Sequence, residues 1–317
     1  MNSSQPESTC YETFLEVIPV LYGLLFIPAL VLNCLAGWVS FQIRTESTFI
    51  LYLKNLIVVD FIMTLTILTK AISKSKFGQT HLVVFACRFS DILFYFSMYI
   101  SIIFLGVISL DRYFKIVRPF GKLLGQNLTY GKFLTAFIWI SFFCTTALPN
   151  MILTNKKWNG TANCISLKDR PGIIWHEVVI YICQTVFAVV CVLIVFTYVF
   201  ISRKVYESYK RSQSCNERYK RQTKARVFIV IVVFFICFVP YHLVRVPFTK
   251  IQVDKNTTCI DYAWSFSKEL SLWLSATNTC LDPLIYILLC KSFRNRVCEI
   301  FRRKTFNISN DNDDSTQ

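Results

Sequence analysis

Long apolar runs, separated by short polar and basic segments, dominate this 317-residue chain. Seven of them reach the roughly 20 residues that a helix needs to cross a bilayer. They lie near 17–41, 50–74, 86–116, 131–153, 174–202, 225–249 and 265–290. None alternates with the two-residue period of a barrel strand. Backbone groups in lipid must be bonded within their own segment, so all seven runs are predicted to be helices. The expected architecture is an all-α membrane protein, a seven-helix transmembrane bundle over 17–290, with a polar segment 1–16 before it and 291–317 after it. Over 292–303, Phe293, Val297, Ile300 and Phe301 alternate with basic residues. That pattern predicts a short amphipathic eighth helix lying on lipid.

Charge orients the bundle. Of 34 Lys and Arg, 22 fall on one side: Arg44, Lys54, and the groups within 112–132, 203–226 and 291–304. Basic residues stay cytoplasmic, so the N-terminus is expected outside and the protein is expected to be multi-pass in the plasma membrane. The net charge of +15 is explained by topology and by attraction to anionic lipid, and needs no nucleic-acid partner. Residues 1–16 carry Glu7, Glu12 and Glu16 but no Lys or Arg, unlike the basic start of a cleavable signal. The first span is expected to act as its own anchor. Sequons at Asn2, Asn159 and Asn256 fall on the outer side and are expected to be glycosylated. Those at Asn127 and Asn307 fall inside.

Four of the 13 cysteines, Cys10, Cys87, Cys164 and Cys259, lie on the outer side. An even number in an oxidising compartment predicts two disulfides, with three pairings open. Cys298 follows the last span in a basic amphipathic stretch, a position suited to palmitoylation.

Polar residues within the spans are costly and need reasons. Asn33, Asp60, Asn278 and Asp282 form a candidate polar cluster near the membrane midplane. Asp111-Arg112-Tyr113 ends span 3, where Arg112 can pair locally with Asp111 in one state and release to a partner in another. Pro240 and Pro283 each remove a hydrogen bond and bend the last two spans. The third inner segment, Arg203 to Arg226, reads as a short basic loop.

These residues carry a resemblance. Asn33, Asp60, Asp111-Arg112-Tyr113, Trp139, Phe238-Val239-Pro240 and Asp282-Pro283-Leu284-Ile285-Tyr286 resemble the rhodopsin-like G-protein-coupled receptors. Phe94-Tyr95-Phe96-Ser97-Met98-Tyr99, Leu148-Pro149-Asn150-Met151, Trp175-His176-Glu177 and Phe238-Val239-Pro240-Tyr241-His242 are similar to the purinergic nucleotide receptors. Within them, the resemblance is to the Gi-coupled subgroup for ADP and UDP-sugars. It implies disulfides Cys87–Cys164 and Cys10–Cys259, a heterotrimeric G protein of the Gi class as partner, and Arg112, Tyr198 and Tyr286 as residues exposed to that partner when the bundle opens.

A nucleotide brings phosphates, which want Arg and Lys, and a base, which wants aromatic faces. Arg245 lies three residues after His242, sharing a helix face. Lys70 and Lys268 lie at the outer ends of spans 2 and 7, Lys168 lies in the second outer segment, and Tyr95 and Tyr99 are four apart on span 3. The resemblance carries ligand contact onto Tyr95, Lys168, His176, His242, Arg245 and Lys268. The chain departs from the subgroup at Ile180, Phe248 and Asp91, and lacks a proline two residues before Lys70. Those departures motivate a second reading, a receptor for a UDP-sugar, a lipid or another anion, or one that signals without ligand. Arg88 is the expected neutraliser of Asp91.

Enzyme chemistry is excluded on the motifs. His81, His176 and His242 show no metal-ligand spacing, and no nucleophile–base pairing or glycine-rich phosphate loop is present. No metal or cofactor is expected. Repeated halves, the mark of many transporters, are missing too. A homo-oligomer stays open.

Overall fold

The structure is a computed structural model and describes residues 5–75, 78–117, 127–157, 164–211, 217–253, 259–290 and 292–300. Seven helices among them are long and apolar enough to cross a membrane: spans 1 (Glu16–Phe41), 2 (Thr48–Ser73), 3 (Thr80–Lys115), 4 (Leu128–Ile152), 5 (Arg170–Lys204), 6 (Ile229–Thr249) and 7 (Ala263–Leu289). No strand occurs among the described residues. Neighbours run 1-2-3-5-6-7 and back to 1, with span 4 on the outside against 2 and 3. Span 3 is the most enclosed, and its Phe94, Met98, Ile100, Ile102 and Phe104 are fully buried.

Local chemistry sets where the helices start and bend. Ser47 and Asn127 cap spans 2 and 4, accepting from the Ile50 and Thr129 amides, which would otherwise lack partners at a helix start. In span 4 a wide five-residue turn, Phe143–Ala147, ends just ahead of Pro149, whose ring cannot continue the ordinary ladder. Span 7 is interrupted between Ala276 and Asn278. Pro240 and Pro283 sit inside helices, and hydroxyl and amide groups of neighbouring spans meet the backbone beside them. Ser275 donates to the Cys237 carbonyl at 2.8 Å. Such repairs let prolines persist at membrane depth.

Helices run further than hydropathy predicts. The first begins at Gln5, well ahead of the apolar run. The expected loop over Arg203–Arg226 is mostly helix instead: span 5 continues to Arg211, and the next helix starts at Glu217. Lys, Arg, Gln and Glu are good helix formers, so the ladder continues after the apolar run stops. Residues 292–300 form the expected short eighth helix. Phe293 is buried with its ring 5.9 Å from that of Tyr286, and Val297 and Ile300 pack on the core.

Candidate functional site

A cavity of about 500 Å³ opens among the seven spans at one end of the bundle, with span 1 contributing Ile18 to its wall. The disulfide Cys87–Cys164 is at this end. It ties span 3 to a short helical turn, Cys164–Leu167, which delivers Lys168 to the cavity wall. Lys168 Nζ donates to Asn150 Oδ1 of span 4 at 2.8 Å. Burial lowers the Lys168 ammonium from its ordinary value to about 8, because a charge loses hydration there. Arg88 secures the segment opposite, donating to the Lys156 carbonyl at 2.8 Å and the Asn155 carbonyl at 3.3 Å. It therefore does not neutralise Asp91, as the sequence suggested. Lys70 of span 2 does, at 2.9 Å.

Arg245 comes from span 6, buried at 5% exposure. Its Nη2 donates to His176 Nε2 of span 5 at 3.4 Å. A guanidinium cannot accept, so the His176 ring nitrogen is the acceptor in this contact. Tyr241, one turn before Arg245, lies 6.3 Å ring to ring from Tyr95 of span 3. Phe248 stands under two cations, 5.7 Å from Arg245 and 5.2 Å from Lys268. Lys268 pairs with the adjacent Glu269, and Lys74 reaches the same Glu269 oxygen at 3.1 Å. Arg245 and Lys168 form no ion pair among the described residues.

Of the residues singled out in the sequence, Tyr95, Tyr99, Lys168, His176, Arg245, Lys268 and Lys70 all line this cavity. His242 does not. Its Nδ1 meets the Phe238 carbonyl at 2.7 Å, and its ring stacks on Phe187 at 3.5 Å and meets Tyr99 edge-on. It belongs to the buried aromatic floor. The cavity also contains Tyr241, Lys74, Asn150 and Cys183, which sequence reasoning missed. Tyr241 is four before Arg245 and Cys183 seven after His176, so helical spacing held a signal for both. Cys87, Asp91 and Cys164 bring ligand-type atoms within 4.8 Å of one another. The disulfide leaves no thiolate, so this group cannot act as a metal centre.

The polar cluster at mid-bundle has two parts. Asn33 donates to the carbonyls of Ala29 and Thr279 at 2.9 and 3.0 Å. The other part is a chain across spans 2, 3 and 7. Tyr286 donates to Asp60 at 2.6 Å, and Asn278 donates to Asp282 at 2.7 Å and approaches Ser101.

At the other end, Asp111 does not pair with Arg112. It accepts from Thr48 at 2.6 Å and from Lys115 at 2.8 Å, because one turn along the helix brings Lys115 onto its face. Arg112 points the other way. Its guanidinium lies 3.5 Å over the Phe49 ring and donates to the Leu289 carbonyl at 3.1 Å. Tyr113 packs between Phe196 and Phe200, and Tyr198 is buried. Cys298 is an exposed free thiol on the eighth helix. Asn2, Asn159 and Asn256, and the side chains of Cys10 and Cys259, lie outside the described set.

The profile of the 7 transmembrane receptor (rhodopsin family) matches residues 31–286. Human purinoceptor 13 is 42% identical over 94% of this chain and 85% of its own length. Purinoceptor 14 of Bos taurus is 39% identical over 90% of this chain and 85% of its own, and mouse G-protein coupled receptor 87 is 40% identical over 92% and 82%. These are receptors rather than enzymes. The half-buried Arg112, the proline-bearing last spans and the cationic aromatic cavity thus sit in a chain that belongs to the rhodopsin family of seven-transmembrane receptors and, within it, to the group that holds these purinoceptors.

Proposed function

We propose that this receptor binds an extracellular nucleotide, ADP first among them, and signals through a Gi-class G protein to inhibit adenylyl cyclase. The disulfide end then faces outward and the N-terminus is extracellular. One observation carries the reading. Arg245 and Lys168 face a cavity of nucleotide size without a carboxylate partner, among Tyr95, Tyr99 and Tyr241. Cavities of this volume take small molecules, phosphates favour Arg, and a base stacks on tyrosine faces. The purinoceptor names of the relatives support the same class.

In this reading the ligand bridges Arg245 of span 6 to Tyr95 of span 3, Lys168 and Lys268. The contact favours the state in which span 6 turns about Pro240. Arg112 leaves Phe49 and Leu289 and becomes available to a G-protein helix in the opened groove. A second reading, a UDP-sugar, lipid or other anion as agonist, is favoured by Asp91, which already occupies one cavity lysine.

Inhibition of stimulated cAMP in cells expressing the chain tests this, with ADP, ATP, UDP, UDP-glucose and lysophospholipids, each with and without pertussis toxin. A toxin-sensitive ADP response that Arg245→Ala abolishes, at unchanged surface expression, is the expected result. Selective response to UDP-glucose or a lysophospholipid moves the conclusion to the second reading. Retained potency in Arg245→Ala removes that residue from the site.

A further inference from the structure

Lys70 is a cation that the protein fills with its own anion. Its ammonium lies 2.9 Å from Asp91, and 2% of its side chain is exposed. The rings of Phe94, Tyr95 and Tyr22 stand 4.9, 5.7 and 5.8 Å from the same nitrogen. Three aromatic faces and one carboxylate enclose it, so a phosphate reaches Lys70 only by displacing Asp91.

Asp91 is well secured. The wide turn Ala86–Ser90 ends at it, and one extra residue per turn re-aims the side chains beyond it. Its Oδ2 lies 3.7 Å from Cys164 Sγ of the disulfide. One residue away, the Thr69 and Ser90 hydroxyls join the same two spans. Asp91 keeps 22% of its side chain exposed, and it lines the cavity. Five basic side chains and two carboxylates line that cavity, which leaves three positive charges. Without Asp91 there would be four.

We propose that Asp91 is a tethered counter-ion that determines the charge of the preferred ligand. It withholds Lys70 from phosphate recognition and biases the cavity toward anions of about three charges, as in a nucleoside diphosphate, against the roughly four of a triphosphate. The nucleotide identity rests on the function proposed above. The charge relation applies to any polyanion in the cavity.

The test uses full-length receptor, wild type beside Asp91→Asn and the double variant Lys70→Met with Asp91→Asn. Thermal stabilisation of purified receptor by inorganic pyrophosphate and tripolyphosphate gives one affinity ratio, and cAMP potency of ADP and ATP gives another. Asn keeps an acceptor for Lys70 while removing the charge. Asp91→Asn is expected to shift the first ratio toward tripolyphosphate by on the order of tenfold, with ATP gaining on ADP in the same direction. The double variant is expected to return both ratios to wild type. An unchanged polyphosphate ratio in Asp91→Asn overturns the proposal. So does loss of affinity for both anions in the double variant, which makes Lys70 a direct phosphate ligand. If Asp91→Asn does not fold, the double variant decides alone: affinity for both anions retained at the wild-type ratio upholds the proposal, and loss of affinity for both overturns it. A wild type deaf to every nucleotide, with the polyphosphate shift present, sinks the nucleotide reading and keeps the counter-ion.

Discussion

Asn33 of span 1 donates to the Thr279 carbonyl of span 7, and that carbonyl is the one whose helical partner Pro283 removes. The polar residue and the proline are therefore one device on two helices. Asn33→Ala is expected to cost about 1–3 kcal/mol, the range for orphaning a buried acceptor. In a Pro283→Ala background residue 283 supplies the missing N–H, so the same change should cost clearly less. Thermal unfolding of the four purified variants measures the cycle, and equal costs in both backgrounds would disconnect the two residues.

Lys168 makes agonist potency depend on pH. Its ammonium titrates at about 8, below the ordinary lysine value. An anion needs it protonated, and the agonist's terminal phosphate, with a second pKa of about 6, is already almost fully ionised by about pH 7.5. Potency should therefore fall by up to about tenfold between pH 7.5 and 9, measured as agonist binding to membranes. Lys168→Arg stays charged and should flatten the profile. The sign for stability is opposite. Wherever the buried lysine is charged, below about 8, the ligand-free fold bears the desolvation cost, and that cost fades as pH rises toward the unfolded value.

Phe49 holds Arg112 by its face. Such contacts contribute on the order of 1 kcal/mol, enough to shift a two-state balance about fivefold. Phe49→Leu should raise agonist-independent nucleotide exchange on the G protein by roughly that factor. Unchanged basal exchange at equal receptor density would show that the Leu289 carbonyl restrains Arg112 without help.

Gly172 sits where the start of span 5 crosses the end of span 4. A Cβ there would lie 2.7 Å from the Leu153 carbonyl oxygen, and backbone cannot step aside cheaply. Gly172→Ala should lower stability by about 1–3 kcal/mol. Gly23 has nothing within 4 Å of such a Cβ, so Gly23→Ala is the matched control and should leave the melting temperature unchanged or higher.

The seven spans were legible because lipid imposes a length and a polarity that few other environments do. Their ends were less so. Hydropathy registers where apolar residues stop, while Gln5–Phe41 and Arg170–Arg211 continue on helix propensity alone. That Lys168, Arg245 and Lys268 share one cavity was legible as well, since cations at one end of neighbouring helices have few other places to go. Cross-helix partners were not legible. Whether Asp91 meets Arg88 or Lys70 depends on how span 3 is rotated toward span 2, which packing decides, whereas the pairing of Asp111 with Lys115 was open to a spacing argument, four residues apart on one helix. His242 shows the limit of spacing arguments: three residues from Arg245, it is pulled into the floor by Phe187 and the Phe238 carbonyl.

The helix Glu217–Val253 has a mechanical property of its own. Pro240 divides it unequally. At 1.5 Å per residue the portion before the proline is about 35 Å long and the portion after it about 20 Å. With the fulcrum there, a displacement of about 1 Å at the ligand end becomes nearly 2 Å where the helix emerges on the far side, in the same ratio as those lengths. Because that helix continues past the apolar run, the gain is realised in water, at the height where a large partner can read it.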